Sequence, residues 1–285
     1  MSLPQPLVGA AWLADHLGDV TVVDSRWYLD GRSGREAYEG GHLPGAGWVD
    51  LDRDLAGPPS PDAGRHPLPS PQHFAAAMSR LGIGDDTPVV VYDDARGSIA
   101  ERLWWMLRMH EHRVSVLDGG IDEWRGGLDV GWHSREPAAF TARPWPAARL
   151  VDADEVEVIR QRRNALVLDA RSAERFAHGD PAIDPRPGHI PGARSAPWVD
   201  NVRTDGTMRD RAALREQFTA LGAADAQIIA CSCGSGVTAC HDLLALELAG
   251  FGDTTRLYPG SWSQWGADPR RDAAVGRDTA NEPGS

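Results

Sequence analysis

The chain has no lysine, so all 29 of its basic side chains are arginines. The absence of lysine excludes catalysis through a lysine Schiff base and phosphate binding by a Walker-type loop. An anionic substrate must then be held by arginine, which binds a carboxylate through two parallel hydrogen bonds. The formal net charge of −12 argues against a nucleic-acid partner, because nucleic-acid binding needs a clustered basic surface.

Cysteine and long apolar runs are also scarce. The 285 residues contain three cysteines, an odd number, and two of them are separated by one residue. A disulfide framework is therefore not expected. No apolar run approaches the roughly 20 residues of a membrane span, and the N-terminus lacks the charged-then-apolar pattern of a signal peptide. We expect a cytoplasmic protein with no membrane partner.

What the sequence does contain is an internal duplication. Gly-His-Leu-Pro-Gly-Ala at residues 41–46 returns as Gly-His-Ile-Pro-Gly-Ala at residues 188–193. An apolar strand pattern ending in Asp-Ser-Arg at residues 24–26 returns with Asp-Ala-Arg at residues 169–171. Strand and helix patterns alternate in both halves, which implies parallel sheets with helices on both faces.

The duplication predicts an α/β fold of two tandem domains, each a parallel β-sheet flanked by helices. We place the domains at residues 5–137 and 148–275, since the stretch from Pro137 to Ala148 holds three prolines and has no apolar period. The first element is expected to be an amphipathic helix over residues 7–17. His42 and His189 occur in both copies of the repeat, which favours a structural turn over a catalytic role.

The most informative stretch lies near residue 233. A short apolar run, Ile228–Ala230, indicates a buried strand, and helical spacing resumes at Val237. The first amides of a helix carry a partial positive charge, and glycines let a loop turn its amides inward. A thiolate at Cys233 would be stabilised there and would act as a nucleophile. We call residues 233–238 the cysteine loop.

Two other interpretations of the cysteines remain open at this stage. All three could be small buried hydrophobic residues, most plausibly Cys240 and then Cys231. Alternatively Cys231, Cys233, Cys240 and His241 could ligate zinc, although their spacing is not that of structural zinc sites.

The Cys-Gly-Ser-Gly-Val-Thr sequence of the cysteine loop resembles the active-site loop of the rhodanese superfamily, and within it that of the 3-mercaptopyruvate sulfurtransferases. Thiosulfate sulfurtransferases usually carry basic residues after the cysteine, where this chain has Gly234 and Ser235. Phosphatase relatives close a longer loop with an arginine, where this chain has Ala239. The resemblance implies two tandem rhodanese-like domains, of which the first is catalytically silent, because Asp94 stands opposite Cys233.

The resemblance further implies a persulfide mechanism. Cys233 would take a sulfur atom from the donor, and the amides of Gly234, Gly236, Val237 and Thr238 would hold the extra sulfur. A thiol acceptor such as thioredoxin or a low-molecular-weight thiol, or cyanide, would then remove it in a ping-pong reaction. No cofactor and no metal are expected. This role requires a side chain at position 233 that is not buried behind its neighbours.

The resemblance also suggests that Ser235 polarises the donor and that His66 and Asp52, from the first domain, complete a Ser–His–Asp relay. The sequence does not place these three side chains within hydrogen-bond reach of one another. The alternatives are a solvated loop histidine for His66 and a turn or cap residue for Asp52.

Three further residues are candidates for substrate binding. Arg175 lies in a segment that resembles the one carrying a substrate-binding arginine in the family, and its role would be to bind the carboxylate of mercaptopyruvate; the alternative is a surface arginine. The family carries a second substrate-binding arginine, and Ala182 stands at its position in this chain. The nearby Arg186 could take its place. Trp262 is expected to wall the pocket.

We therefore expect a sulfurtransferase that uses 3-mercaptopyruvate. The alternatives are the same enzyme with a preference for thiosulfate, and a persulfide carrier that does not turn over.

Overall fold

The computed structural model describes residues 3–276, and the chain divides into two compact units. Unit 1 comprises the residues up to Gly57 together with Leu68–Pro146 and Arg203–Met208. Unit 2 comprises Pro58–Pro67, Ala147–Val202 and the residues from Arg209 onward. The predicted boundaries at residues 137 and 148 remain a prediction. Within the described part of the chain, no helix is both long and apolar enough to cross a membrane.

Unit 1 is built on a five-stranded sheet in the order β1-β5-β4-β2-β3, with every pair parallel. Its central strands are fully buried, as expected for a parallel sheet covered on both faces. The strands are β1 Leu7–Val8, β2 Thr21–Asp24, β3 Gly47–Trp48, β4 Val89–Tyr92 and β5 Val114–Leu117. The helices are α1 Ala10–His16, α2 Gly34–Gly40, α3 Leu51–Asp54, α4 Pro71–Arg80 and α5 Ala100–Met109.

Unit 2 repeats the plan with four parallel strands in the order β7-β6-β8-β9. The strands are β6 Ala165–Asp169, β7 Arg194–Ser195, β8 Ile228–Ser232 and β9 Thr255–Leu257. The helices are α6 Ala153–Ile159, α7 Ala173–His178, α8 Arg211–Ala220, α9 Ala239–Ala249 and α10 Ser261–Trp265. The expected α/β fold with two parallel sheets is confirmed.

The expected helix over residues 7–17 was wrong in its first turn. Leu7 and Val8 form the edge strand β1 and pair with Val116 and Leu117 of β5. The helix begins only at Ala10. The backbone groups at the edge of β5 form hydrogen bonds with residues 7 and 8, which are distant in the chain. The local periodicity of the sequence does not reveal such a pairing.

The repeated Asp-x-Arg and Gly-His sequences make equivalent contacts in both units. In unit 1 the buried Arg26 donates to Asp24 Oδ2 over 2.6 Å and to the carbonyl of Gly41 over 2.7 Å. In unit 2 the buried Arg171 donates to Asp169 Oδ2 over 2.7 Å and to the carbonyl of Gly188 over 3.0 Å. A buried ion pair thus ties the end of a strand to each Gly-His turn.

The two histidines occupy equivalent buried positions. The ring of His42 stacks on Tyr38 at 4.0 Å, and the ring of His189 stacks on Phe176 at 3.7 Å. Each Nδ1 hydrogen-bonds to the carbonyl of the residue on which the ring stacks. Both histidines therefore pack in a turn, in agreement with the structural role expected from their repetition.

In the loop after β4 of unit 1, the inward-facing amides donate hydrogen bonds to a side chain. The carboxylate of Asp93, which is fully buried, accepts four backbone hydrogen bonds of 2.8–2.9 Å. Their donors are the amides of Ala95, Gly97, Ile99 and Ala100. Asp94, which the sequence placed opposite Cys233, instead accepts a hydrogen bond of 2.6 Å from the hydroxyl of Tyr28.

An Asp93→Asn variant tests how much unit 1 depends on this carboxylate. The amide nitrogen of asparagine would face two of the four backbone donors and leave them unsatisfied in a buried site. We expect urea denaturation to show a free energy of unfolding lower by about 3 kcal/mol. The matched control, Asp94→Asn, should cost less than about 1 kcal/mol, since Asp94 accepts a single hydrogen bond. Equal losses would show that the loop does not need the buried charge.

Candidate active site

The cysteine loop joins an inner strand of the unit 2 sheet to its most buried helix. β8 lies between β6 and β9 and ends at Ser232, and α9 begins at Ala239. In open α/β sheets the loops at the carboxyl ends of the strands are the usual ligand sites. The chain therefore places Cys233 at the end of its sheet where ligands usually bind.

Two backbone amides of the loop point at the sulfur of Cys233. The N–H of Gly236 lies 3.1 Å from Sγ, and that of Ser235 lies 3.4 Å from it. Gly236 reaches this orientation with φ of +78°, and a Cβ at this position would lie 2.4 Å from the carbonyl oxygen of Pro259. Only glycine fits both the conformation and the space. Donors arranged in this way stabilise negative charge on sulfur.

The start of α10 holds the cysteine loop from the other side. The amides of Trp262 and Ser263 donate to the carbonyls of Cys233 and Gly234 over 3.0 and 2.9 Å. The hydroxyl of Ser261 accepts from the N–H of Cys233 over 3.1 Å and donates to the carbonyl of Tyr258 over 2.9 Å. Sequence reasoning predicted a role for the neighbouring Trp262 but missed Ser261.

The structure brings Ser235 and His66 together. Their Oγ and Nδ1 atoms are 2.8 Å apart, and both residues are buried. His66 was expected in the first domain, but it belongs to the Pro58–Pro67 segment of unit 2. That segment is held in unit 2 by a hydrogen bond of 2.9 Å from the N–H of Arg65 to Ser263 Oγ. A solvated loop histidine is thereby excluded for His66.

Asp52, the third member of the expected relay, lies in α3 of unit 1. Its carboxylate accepts a hydrogen bond of 2.8 Å from Nε1 of Trp27. The residue that caps the N-terminus of α3 is Asp50, whose side chain accepts from the amides of Asp52 and Arg53. The participation of Asp52 in a relay with His66 stays a prediction.

Arg175 lies against the cysteine loop and is paired with a carboxylate. Its Nε and Nη2 donate to the two oxygens of Asp184 over 2.8 and 2.6 Å. A Cβ on Gly234 would lie 2.7 Å from Arg175 Nη2, so that glycine at 234 makes room for the guanidinium. Burial opposes the charge of Asp184, but the hydrogen bonds and charge of Arg175, with a backbone hydrogen bond and the charge of Arg171, together hold the pKa of Asp184 below its usual value. Sequence reasoning missed Asp184.

The pairing with Asp184 uses one edge of the Arg175 guanidinium. Nη1 has no hydrogen-bond partner among residues 3–276, and the side chain is 18% exposed. Arg175 therefore retains a donor that an incoming anion can use. A bidentate partner on the opposite edge fixes the orientation of that donor.

Cys233 is less open than its expected role requires, since only 2% of the residue is exposed. Part of the reason is the loop itself, whose glycine and serine amides lie against the sulfur. This burial is the feature of the site that fits the sequence expectation least.

Comparisons with known proteins identify the family of this chain. The model of the rhodanese-like domain matches the chain twice, at residues 9–126 and 152–268. The chain belongs to the rhodanese-like family. A probable 3-mercaptopyruvate sulfurtransferase of Pseudomonas aeruginosa is 42% identical over 95% of this chain and 98% of its own length. A putative thiosulfate sulfurtransferase, SseB of Mycobacterium tuberculosis, is 38% identical over 97% and 98%.

A solved relative has the same fold. The crystal structure of SseA from Escherichia coli, described as a 3-mercaptopyruvate sulfotransferase with the rhodanese fold, superposes with a TM-score of 0.79. It is 35% identical in sequence and covers 90% of this chain and 98% of its own. The resemblance that the sequence motifs indicated is therefore confirmed.

Two of the expected substrate-binding residues of this rhodanese-like chain are engaged elsewhere. Trp262 is fully buried in the core of unit 2, so its ring does not wall an open pocket. Arg186 donates to the carbonyls of Arg271 and Asp268 over 2.6 and 3.4 Å. Both residues contact the part of unit 2 around α10. The sequence alone could not distinguish such a packing role from a role in substrate binding.

The other two cysteines of this rhodanese-like protein are enclosed. Cys231 is fully buried in β8, and burial raises the pKa of its thiol well above the ordinary value. Cys240 is also buried, and its Sγ contacts the carbonyl of Gly236 at 3.6 Å. The described residues contain no group of three or more histidine, cysteine or acidic side chains arranged to hold a metal.

A Gly236→Ala variant tests whether the loop amides activate the thiol. The methyl group would collide with Pro259 and turn the Gly236 N–H away from Sγ. We expect alkylation of Cys233 by iodoacetamide at pH 7, followed by peptide mass spectrometry, to slow by about tenfold or more. The control is Gly222→Ala, which has a similar φ of +95° but no contact with the loop. Equal alkylation rates in both variants would contradict activation by the amides.

Proposed function

We propose that this protein is a sulfurtransferase that carries a sulfur atom from 3-mercaptopyruvate to a thiol or cyanide through a persulfide on Cys233. The observation that supports this most directly is the pair of backbone N–H groups 3.1 and 3.4 Å from Cys233 Sγ. The relatives named as 3-mercaptopyruvate sulfurtransferases, at 42% and 38% identity, support the same reaction.

In the first half-reaction the Cys233 thiolate attacks the thiol sulfur of mercaptopyruvate. A sulfur–sulfur bond forms and the carbon–sulfur bond breaks, with its electron pair leaving on carbon as the enolate of pyruvate. The enolate takes up a proton and becomes pyruvate, and the enzyme keeps the sulfur as a persulfide. The amides of the cysteine loop, Gly234 through Thr238, stabilise the negative charge on the two sulfurs.

Ser235 and His66 are the groups that we propose for proton handling. Their hydrogen bond of 2.8 Å is of the length at which a serine hydroxyl and an imidazole exchange a proton. In the proposed mechanism this pair polarises the donor and supplies the proton that the pyruvate enolate takes. Asp52 would orient His66 as the third group of a relay, as carboxylates do in Ser–His–Asp triads.

In the second half-reaction an acceptor thiolate or cyanide attacks the outer sulfur of the persulfide. The sulfur–sulfur bond to Cys233 breaks, its electron pair returns to the cysteine as thiolate, and the acceptor leaves with the extra sulfur. The scheme is ping-pong, because pyruvate departs before the acceptor reacts. Thioredoxin, a low-molecular-weight thiol and cyanide are all acceptors of the right chemistry. A cytoplasmic location remains a prediction.

Arg175 favours a donor with a carboxylate. Its free Nη1 can donate to the carboxylate of mercaptopyruvate while Asp184 fixes the rest of the guanidinium. Val237 and Thr238, which continue the loop, supply main-chain rather than charged contacts. The family pattern of basic residues after the cysteine, typical of thiosulfate enzymes, is absent at Gly234 and Ser235.

The same enzyme with thiosulfate as its donor is the second candidate function. The relative named as a putative thiosulfate sulfurtransferase, at 38% identity, favours it. Steady-state rates on the two donors separate the candidates. We expect kcat/KM to be higher for 3-mercaptopyruvate, and a value about tenfold higher for thiosulfate, or about 1.4 kcal/mol in transition-state binding, would reverse the assignment.

An Arg175→Ala variant tests the carboxylate contact. Loss of a charge-assisted hydrogen bond should lower kcat/KM on 3-mercaptopyruvate by about tenfold to a hundredfold, and by less on thiosulfate. Arg186→Ala is the matched control, because Arg186 donates to main-chain carbonyls. Cys231→Ser should also have a smaller effect than Arg175→Ala. If all three variants lose activity equally, Arg175 does not bind the donor.

A Cys233→Ser variant separates turnover from passive carriage of sulfur. The wild-type protein treated with 3-mercaptopyruvate should gain the mass of one sulfur atom on the peptide that contains Cys233, and it should lose this mass when cyanide is added. The variant should show neither change. A persulfide that forms in the wild type but is not turned over by thiols or cyanide would identify a carrier module instead of an enzyme.

A further inference from the structure

Unit 1 contains a cavity that includes no residue of the cysteine loop. Its volume is about 830 Å³, within the range of small-molecule sites. The walls come from the loop before α2, from β3 and α3, and from the segment at residues 132–137. Asp52 is the one lining residue that also belongs to the expected catalytic set.

Arginines outnumber aspartates among the residues that line the cavity. Two aspartates line it, against five arginines, namely Arg32, Arg35, Arg53, Arg80 and Arg135. Four of these arginines pair with carboxylates, so the charge left for a ligand is that of the fifth. An unpaired cation in a cleft attracts ligands of the opposite sign.

Arg135 is the cation that lacks a counter-charge. Arg32 pairs with Asp30, Arg35 pairs with Glu39, and both Arg53 and Arg80 pair with Asp54. No carboxylate of residues 3–276 pairs with Arg135. Its Nη2 donates to the carbonyl of Gly45 over 2.7 Å, while its buried Nε has no partner among these residues. Its Nη1 makes only a long hydrogen bond of 3.5 Å to Thr21 Oγ1, and a half-buried guanidinium without a carboxylate partner attracts an anion.

The same cavity presents flat aromatic surfaces. Trp27, Tyr28, Trp48 and Trp132 all line it, and Trp132 is 53% exposed, which is unusual for so large an apolar side chain. The guanidinium of Arg35 lies 5.0 Å from the centre of the Trp132 ring. A planar ring placed on Trp132 would therefore meet an aromatic face and a cation together.

We propose that this cavity binds a ligand made of a flat aromatic ring that carries a phosphate or a carboxylate. The ring lies on Trp132, and the anionic group is held by Arg135 with help from Arg35. Neither a neutral ring nor a small anion without a ring uses both features. The site shares Asp52 with the proposed relay but contains no residue of the cysteine loop.

Isothermal titration calorimetry on the full-length protein tests the proposal with six probes. AMP and indole-3-acetate carry both a ring and an anion, adenosine and indole-3-acetamide carry the ring alone, and inorganic phosphate and acetate carry the anion alone. We expect AMP or indole-3-acetate to bind with Kd below about 1 mM. The related neutral and ringless probes should bind at least about tenfold more weakly. The preferred probe of the pair identifies the anion as phosphate or carboxylate.

Three cavity variants locate the binding. Arg135→Gln, Arg35→Gln and Trp132→Leu should each weaken the preferred probe by at least about fivefold. Arg35 and Trp132 are exposed, so these two variants keep the test valid if Arg135→Gln does not fold. The control is Arg125→Gln, which removes an arginine that is 77% exposed and outside the cavity, and it should bind as the wild type does.

Three results would overturn the proposal. The first is a Kd above about 1 mM for both AMP and indole-3-acetate. The second is equal binding of the neutral or ringless probes. The third is a probe whose affinity is the same in every cavity variant that folds, because that probe binds elsewhere. Turnover of 3-mercaptopyruvate by Trp132→Leu should equal that of the wild type, which keeps this test separate from the sulfur-transfer proposal.

Discussion

In each unit a loop between a strand and a helix turns its backbone amides inward, and these amides need a hydrogen-bond acceptor. The two units of this protein differ in the acceptor that they supply. In unit 1 the carboxylate of Asp93 takes four amides and closes the loop with a buried side chain. In unit 2 the position equivalent to Asp93 is Ser232, whose hydroxyl donates to the carbonyl of Leu168 instead. The amides of the unit 2 loop are thus left for the sulfur of Cys233. One fold therefore supports a closed loop in one copy and a candidate nucleophile in the other.

The loop that holds the sulfur requires unfavourable backbone conformations, and contacts with surrounding residues stabilise them. Gly236 adopts φ of +78° beneath Pro259, and Ser261 adopts φ of +50°, which is uncommon for a residue other than glycine. Ser261 is kept in this conformation by its hydrogen bonds to Cys233 and Tyr258. Conformations of this kind persist where the neighbouring contacts over-determine them, and they are concentrated at functional sites.

The sequence alone predicts the features that depend on a local pattern or on the internal repeat. The duplication, the parallel sheets and the loop around Cys233 follow from short motifs, and the structure agrees with them. The errors concern side chains whose partners are distant in the chain. Trp262 was expected to wall a pocket, yet it is fully buried; Arg186 donates to backbone carbonyls, and its part in substrate binding stays a prediction. Asp184 gives no sequence signal, because only the folded chain brings it to Arg175.

The pairing of Arg175 with Asp184 also explains how a partly buried cation can remain useful for binding. An unpaired guanidinium beside Cys233 would be costly to bury, and a fully paired one would offer nothing to a substrate. Asp184 takes only the Nε and Nη2 edge, so the charge is compensated while Nη1 stays available. A lysine has a single ammonium group and could not present two separate edges in fixed directions. In a chain whose basic side chains are all arginines, selectivity for a carboxylate can therefore arise from how each guanidinium is already engaged.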